Sequence, residues 1–257
     1  MRRQLAALFV VALVAVAGCA GGSAPGADGD ASSDDPVYET PLDAGAVADA
    51  HVDALGDAGS YTIESDAAST VASQNQTTET TGEVRGDMAT GAVFTRTETS
   101  QRTIELYAGS DGATYRRSVA GDQTRYRNVS GQAVNASEYA RSTVSSFVNL
   151  FEFSYAGTED ADGGTVHVYE ADGAAAMNTS SPGFAQLNES NVDAASATLH
   201  VRDDGVVTMA GYDITITFQG QTQSIDTAQR FTAIGETDVT EPDWLSEAAS
   251  NTSSSSQ

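Results

Sequence analysis

The feature that most limits the fold is a succession of short segments, between Tyr61 and Val129, in which apolar or small residues alternate with polar ones. A period of two is typical of strands with one buried and one solvated face. Turn residues, such as Gly109-Ser110-Asp111-Gly112, separate the segments, and turns this short join antiparallel neighbours. The predicted strands are Tyr61 to Ser69, Thr77 to Met88, Ala92 to Glu98, Arg102 to Tyr107, Ala113 to Arg117 and Thr124 to Val129. The sequence therefore predicts an antiparallel meander.

Two helices are predicted beside this meander. Apolar residues recur at spacings of three and four from Ala44 to Leu55, with Gly59 just past the end, a pattern typical of an amphipathic helix. A second helix begins after Asn135, which can cap it, with Glu138 three residues on. The apolar stripe of the second helix consists of Ala140, Val144, Phe147, Val148 and Phe151. Such a stripe must lie on the sheet or on a ligand.

Strands resume after the second helix. The predicted strands are Phe153 to Gly157, Thr165 to Glu170, Ala197 to Arg202, Val206 to Met209, Tyr212 to Phe218 and Thr222 to Ile234. The segment from Ala174 to Ser190 contains Pro182 and is predicted to be a loop. Trp244 is predicted to fix the end of the chain to the core. The fold class is therefore α+β.

The N-terminus predicts export and lipidation. Two arginines precede an uninterrupted apolar run from Leu5 to Ala17, which is too short for the roughly 20 residues that span a bilayer as a helix. Small residues precede Cys19, whose thiol can take a lipid. We therefore predict a signal peptide over residues 1–18 and a lipid anchor on Cys19 at the outer face of the cytoplasmic membrane. The arginine pair suits twin-arginine export and also the ordinary Sec route, so both routes stay open.

The chain divides into four predicted parts. The signal peptide is followed by the lipidated cysteine and an acidic flexible tether, residues 19–41, which is too poor in large apolar residues to form a core. A single domain is predicted over residues 42–245, and a disordered Ser/Asn tail over residues 246–257.

Charge limits the partners. The formal net charge is −24, with 36 acidic residues against 12 basic ones, and every basic residue is an arginine. Such a surface repels phosphate, so nucleic acid is excluded as a partner. The acidic excess and the absence of lysine are typical of proteins from halophiles, because multimolar salt screens the self-repulsion. The alternative is an acidic extracellular protein of ordinary salinity.

Asn-X-Ser/Thr sequons indicate a glycosylated cell-surface protein. The candidate sites are Asn75, Asn128, Asn135, Asn178, Asn188 and Asn251.

No catalytic, metal or cofactor site is predicted. Cys19 is the only cysteine, and lysine is absent, so neither a disulfide nor a Cys or Lys nucleophile is available within the chain. His167 and His200 each alternate with aliphatic residues and are predicted to be solvated strand residues, whereas His51 lies in a helical stripe and is predicted to pack. The acidic turn from Thr158 to Gly164 is interpreted as a solvated hairpin rather than a calcium loop. We expect a protein that is not an enzyme.

The order of elements resembles that of the LolA/LppX-like superfamily of lipid-handling envelope proteins. The residues that carry the resemblance are Ala54-Leu55 followed by Tyr61-Thr62-Ile63, and the strand-turn-strand segment from Leu199 to Val207. More narrowly, the chain resembles the small lipobox lipoproteins of unknown function from halophilic archaea. The resemblance implies a strongly curved antiparallel sheet, an incomplete barrel, with the N-terminal and central helices packed on its concave face.

The resemblance also implies a ligand cavity, which the residues leave as one of two readings. In the first, the concave face accepts a lipid or another apolar ligand, and its lining is Ile63, Val84, Phe94, Ile104, Leu106, Tyr115, Val144, Phe147, Val148 and Phe151. In the second, the same side chains fill one another's space, and the protein is a structural or protein-interaction module of the cell envelope. A cavity of several hundred Å³ under the central helix would favour the first reading.

Overall fold

The computed structural model describes residues 35–132, 134–161, 164–184 and 187–253. The predicted signal peptide, Cys19 and most of the predicted tether lie outside these residues. The helices are α1 (Ala44–Ala58), α2 (Ala136–Val148) and α3 (Leu245–Ser253). The strands are β1 (Ser60–Val71), β2 (Gln76–Asp87), β3 (Val93–Thr99), β4 (Thr103–Ala108), β5 (Thr114–Ala120), β6 (Gln123–Asn128), β7 (Ser154–Ala161), β8 (Gly164–Asp172), β9 (Val192–Arg202), β10 (Val207–Phe218) and β11 (Gln221–Thr232).

The strands form one antiparallel sheet in the order β6-β5-β4-β3-β2-β1-β11-β10-β9-β8-β7. The first six strands are one meander and the last five another, and the pairing of β1 with β11 joins the two. Since β6 and β7 are the two edges, the sheet is not closed into a barrel. The chain between these edges includes α2, which contacts β2 and β10 near the middle of the sheet. This confirms the predicted α+β class and the open antiparallel sheet.

Both predicted helix starts are confirmed by their caps. The side chain of Asp43 accepts a hydrogen bond from Ala46 N at 2.8 Å, and that of Asn135 accepts one from Glu138 N at 2.8 Å. A short polar side chain in this position satisfies an otherwise unpaired amide of the first turn. Gly59 ends α1 with φ of 92°, a left-handed conformation that favours glycine.

Side chains of the sheet alternate between two faces with different coverings. The inner face, which packs against α1 and α2, carries the main core, with Tyr61, Ile63 and Leu199 at most 3% exposed. The outer face of β3 to β6 carries a second cluster, in which Phe94 and Tyr107 pack with Trp244 and Ala248. The C-terminal segment therefore covers part of the outer face.

Two segments at the ends of the predicted domain differ from the predictions. Val37 and Tyr38 pack against the main core, although residues up to 41 were predicted to be a tether. Tyr38 N donates to Tyr169 Oη at 2.8 Å, which fixes this segment on β8. Helix α3 occupies residues up to Ser253, where a disordered tail was predicted from 246. Burial of Ala248 beside Trp244 gives this helix a tertiary reason to form.

Val207 to Phe218 is a single strand, although a break was predicted near Gly211. None of the helices within the described residues has the length and apolar character needed to cross a membrane.

Candidate functional site

A cleft of about 840 Å³ opens on the inner face, between α2, the loop 178–183 and strands β10 and β11. Its lining residues are Tyr139, Ser142, Thr143, Ser146, Phe147, Asn149, Leu150, Asn178, Ser181, Pro182, Gly183, Ala210, Tyr212, Thr227 and Gln229. The apolar stripe of α2 faces the core, and the adjoining hydroxyl-rich flank of the helix lines the cleft.

Backbone hydrogen bonds hold the loop wall of the cleft against the end of α2. Asn178 N donates to Leu150 O at 2.8 Å, and Glu152 N donates to Ala176 O at 2.7 Å. The side chain of Asn178 also donates through Nδ2 to Asn149 O at 2.9 Å. Two walls of the cleft are therefore tied to each other and keep a fixed separation at this end.

The cleft is electrically neutral in a strongly acidic protein. Among the described residues that line it, none is Asp, Glu, Arg or His, and the polar groups are hydroxyls and amides. The net charge of the whole chain is −24. A surface without ionised groups offers no ion pair to a charged ligand, and its hydroxyls and amides can both donate and accept hydrogen bonds.

Two rings that line the cleft, Phe147 and Tyr212, pack on the buried rings of Phe151 and Phe184, which lie beneath it. The ring of Tyr212 lies 6.4 Å from that of Phe147 and 5.7 Å from that of Phe151, between centroids. Phe184 stands edge-on to both Phe151, at 5.4 Å, and Tyr212, at 6.0 Å. Offset and edge-on ring pairs of this kind add stability beyond that of burying apolar surface. The base of the cleft is therefore a packed apolar surface, and its walls are polar.

One hydroxyl in the wall has an unmet hydrogen-bonding capacity. Ser181 is 5% exposed, and its Oγ has no hydrogen-bond partner among the described residues. A buried, unpaired hydroxyl costs about 1–3 kcal/mol. A polar ligand group in the cleft is one way to offset this cost.

The residues predicted to line a cavity fall into three groups. Phe147 lies in the cleft wall. Ile63, Val84, Val144, Val148 and Phe151 are buried in the main core, with Leu106 packed against it. Phe94 and Tyr115 belong to the outer-face cluster, and Ile104 is half-buried on the inner face of β4. The structure therefore brings the members on β1 and β2 together with those on α2 in the main core and separates the members on β3 and β5, and Phe147 is the one member of the set that lines the cleft.

Most of the cleft lining was missed by the sequence reasoning. The polar flank of α2 carries Ser142, Thr143 and Ser146. An ordinary helix with a solvent-exposed face has the same pattern, so these residues do not indicate a site. Thr227 and Gln229 lie on a Thr/Gln-rich strand with no distinguishing spacing. The only available signal was the aromatic pair Phe147 and Phe151 at i, i+4, which marks the base of the cleft.

The prediction that His167 is a solvated strand residue is wrong. His167 is 1% exposed, and its neighbours Val166 and Val168, on the opposite face, are each 3% exposed. Both faces of β8 are covered at this point, so alternation does not identify a solvated side. His200 is half-buried, and desolvation lowers its pKa. His51 is fully buried, as its helical stripe predicts.

His167 links two parts of the fold through both ring nitrogens. Nδ1 lies 3.1 Å from Tyr155 Oη, and Nε2 lies 2.7 Å from Asp203 Oδ1. A carboxylate only accepts, so Nε2 is the nitrogen that donates to Asp203, whereas the phenol of Tyr155 can either donate to Nδ1 or accept from it. Tyr155 lies on β7, and Asp203, whose carboxylate is exposed, lies in the β9–β10 turn. The two contacts of His167 therefore link β7 and β8 to that turn.

No metal site emerges from the described residues, where no group of three or more His, Cys, Asp or Glu side chains is placed to hold an ion. Glu159 and Asp160 of the acidic hairpin lie in β7, paired with β8, while Asp162 and Gly163 lie outside the described residues.

The sequon asparagines lie mostly at the surface. Asn75, Asn128, Asn135, Asn188 and Asn251 are exposed. Asn178 differs because it is half-buried, lines the cleft and uses its Nδ2 in the bond to Asn149. A glycan on Asn178 would be attached to this nitrogen and would lie at the cleft wall.

The fold defines a class of protein in which an open antiparallel sheet carries helices and a cleft on one face. Within it, residues 4–248 match the model of DUF7537, described as a family of unknown function, and the chain belongs to this family. No curated protein matches the chain.

Solved structures to which the chain is similar include three proteins of low sequence identity. LprF from Mycobacterium bovis shares 11% identity, with a TM-score of 0.37, over 78% of this chain and 96% of that one. Lipoprotein LppX from Mycobacterium tuberculosis shares 15% identity, with a TM-score of 0.31, over 77% and 97%. A LolA superfamily protein from Nitrosomonas europaea shares 7% identity, with a TM-score of 0.26, over 79% and 97%.

Proposed function

We propose that this protein is a lipid-anchored cell-surface protein that binds an uncharged amphipathic molecule, a lipid or a comparable apolar ligand, in the cleft beside α2. The observation that carries the proposal is the cleft itself, a space of about 840 Å³ with aromatic rings at its base and uncharged polar groups in its walls. Sites for small ligands have volumes of about 300–1,000 Å³ and combine apolar walls with a few polar groups.

The lining chemistry selects the kind of ligand. Phe147, Leu150 and Tyr212 offer apolar contact, whereas Ser142, Asn149 and Gln229 offer hydrogen bonds. An ionised head group would lose its hydration without gaining a counter-charge, which is unfavourable in a partly desolvated site. A hydroxyl-bearing, uncharged head group on an apolar body matches both parts of the lining.

Anchoring and export rest on the N-terminal sequence. The run from Leu5 to Ala17 and the small residues before Cys19 support cleavage and lipid attachment at that cysteine. In a chain whose Cys19 is replaced by serine, we expect the protein to leave the membrane fraction in a high-salt wash, which screens electrostatic attraction but does not remove a lipid anchor. An unchanged membrane association of C19S would remove the anchor from the proposal.

The ligand is tested by gentle isolation of the full mature chain, followed by native mass spectrometry and lipid extraction. We expect a stoichiometric, uncharged, co-purifying molecule. Ser146 is an exposed residue of the cleft lining, so S146W should reduce the bound fraction by filling the space. Ser224 is an exposed serine on the outer face of β11, and S224W is the matched control that should keep the ligand.

A structural or protein-interaction role is the second candidate, because the rings of Phe147, Phe151, Phe184 and Tyr212 already pack against one another. The same experiment separates the two. An apo mass for the native protein, with identical spectra for S146W and S224W, would favour the structural role.

A further inference from the structure

The arginines of the described chain fall into two groups. Arg85, Arg96, Arg117, Arg141, Arg202 and Arg230 each form an ion pair with a carboxylate. Arg102, Arg116, Arg125 and Arg127 form none within the described residues, and all four belong to the corner of the sheet made by β4, β5, β6 and their turns. We call these four residues the arginine corner.

The arginine corner lies on the inner face of the sheet. Arg116 is opposite Leu106 on β4, and Leu106 packs against the main core. Arg127 is opposite Arg116, and Arg125 is opposite Ser118, so both share that face. Arg102 precedes β4 and exchanges backbone hydrogen bonds with Thr99 in the β3–β4 turn. Arg102, Arg125 and Arg127 are exposed, and Arg116 is half-buried.

The acidic residues of the same strands lie on the other face. Every aspartate and glutamate of β1 to β6 has its side chain on the outer face, by register with Phe94 and Tyr107. These residues are Glu64, Asp66, Glu79, Glu83, Asp87, Glu98 and Glu105. The inner face of these six strands is therefore cationic in a chain whose net charge is −24. Asp122, in the β5–β6 turn, forms no ion pair with the corner within the described residues.

An exposed aromatic ring stands at one end of the strands, the end nearer to Arg102 and Arg125 of the arginine corner. Phe218 is 58% exposed, and no other large apolar side chain of the described residues is exposed. It ends β10, one residue before the β10–β11 turn. The registers place this turn at the same end of the strands as the β1–β2, β3–β4 and β5–β6 turns. We call this end of the strands, with its four turns, the rim.

We propose that the arginine corner and Phe218 dock the rim onto a membrane surface that carries anionic lipid headgroups. Guanidinium groups bind phosphate in a bidentate way, and each basic side chain near an anionic leaflet contributes attraction. Aromatic side chains prefer the membrane–water interface. A soluble anion would use the arginines alone, whereas a bilayer uses the exposed ring as well, so the combination favours a bilayer.

The proposal rests on the lipid anchor of the proposed function only for its cellular setting. The chain between Cys19 and Val37 can reach about 60 Å when fully extended. A twelve-residue strand such as β1 is about 40 Å long. The tether is therefore long enough for the rim to contact the membrane that holds the anchor.

Vesicle flotation with the mature chain carrying C19S tests the docking without the lipid. Vesicles of phosphatidylcholine alone are compared with vesicles containing one third phosphatidylglycerol, at a salt concentration where circular dichroism shows the folded protein. We expect binding to the anionic vesicles only, with a loss of at least about tenfold in R116Q/R125Q/R127Q. In F218W, we expect the added emission to shift to the blue on anionic vesicles.

The matched control is R85Q/R96Q/R230Q, which removes the same number of charges from the outer face. It should bind anionic vesicles as the parent does. Equal loss in both triple variants, or equal binding to neutral and anionic vesicles, would overturn the proposal. Because every protein compared carries C19S and no cleft residue is varied, failure here leaves the cleft proposal standing. Asn75 lies in the rim, so a glycan found on it in native protein would also contradict docking.

Discussion

At the scale of single residues, His51 shows how the core fixes a protonation state. Its ring is fully buried, Val207 N donates to Nδ1 at 3.1 Å, and the ring of Phe231 lies edge-on at 4.4 Å. Desolvation lowers the pKa of His51 to about 3, against a smaller opposing effect of Asp204. The folded protein therefore holds a neutral imidazole where the unfolded chain holds an imidazolium in mild acid.

This burial predicts an acid-sensitive contribution to stability. Below about pH 6.5, His51 binds a proton in the unfolded chain but not in the folded protein. Each further pH unit down to about 3 therefore lowers the free energy of unfolding by about 1.4 kcal/mol. H51Q should be less stable than the parent at pH 7 but should lose less stability between pH 6.5 and 4. Urea unfolding of both proteins across this range measures the difference, in which the carboxylate contributions cancel. Parallel curves would contradict the assignment.

The pKa of Asp213 is raised in the folded protein, whereas that of His51 is lowered. It faces Asp226 across β10 and β11 on the outer face, where partial desolvation, the hydrogen bond with Asp226 and the repulsion between the two raise the pKa of Asp213 to about 6. A carboxyl group with a raised pKa contributes stability below the unfolded pKa of about 4 and loses it as the pH rises through 6.

Neutralising this aspartate should therefore stabilise the fold at neutral pH. D213N is expected to raise the melting temperature at pH 7.5, and the gain should disappear near pH 4, where the parent carboxyl is also protonated. Asp172, an exposed residue of β8, provides the control for a general reduction in negative charge. A D172N variant that gains as much as D213N would assign the effect to net charge rather than to the pair.

At the scale of elements, α3 decides the character of the outer face. Trp244 stacks on Tyr126 with centroids 6.3 Å apart, and Tyr126 Oη donates to Glu247 at 3.0 Å. Glu105, 8% exposed, pairs with Arg117 at 2.9 Å on the same face. The helix thus covers a patch that would otherwise expose aromatic rings of β3 and β4.

Loss of this covering predicts a measurable destabilisation. Trp244 is 8% exposed, so W244A should lower the free energy of unfolding by about 3 kcal/mol through lost burial. A chain ending at Leu245 removes Ala248 and Glu247 and should also be less stable. S246A, at an exposed position of α3, should change stability by less than about 0.5 kcal/mol. Denaturant unfolding measures all three, and a truncated chain as stable as the parent would show that α3 adds nothing.

At the scale of the whole molecule, charge is separated between the two faces of the sheet. Carboxylates of β1 to β6 crowd the outer face, whereas the inner face carries unpaired arginines and a neutral cleft. Repulsion among the outer carboxylates acts over about 10 Å at 0.1 M salt but over only about 3 Å at 1 M salt. The fold should therefore depend on ionic strength.

We expect the midpoint of urea unfolding to fall as NaCl is lowered from 2 M toward 0.1 M, because self-repulsion then opposes the compact state. Sucrose at matched osmolality is the control, since it stabilises by exclusion from the surface without screening charge. Equal protection by sucrose and by NaCl, or a midpoint independent of salt, would remove charge screening as the cause.

The elements of this fold were predictable because their signals are local. Alternation located β1 to β6, the apolar spacing that ends before Gly59 located α1, and the cap Asn135 located α2. Helix α3 was missed because a Ser/Asn-rich segment has little helical preference of its own and forms on Trp244 and Ala248. His167 was misplaced because both faces of β8 are covered.

The sequence by itself determined the strands, the inner helices and the excess of negative charge, since each depends on neighbours in the chain or on composition. Only the tertiary structure decided which face of each strand meets α2, because alternation separates two faces without saying which is inner. Phe94 and Leu106 are equally apolar, yet one lies under Trp244 and the other on the main core. The cleft and the arginine corner follow from that choice, since both depend on residues that only the pairing of distant strands brings together.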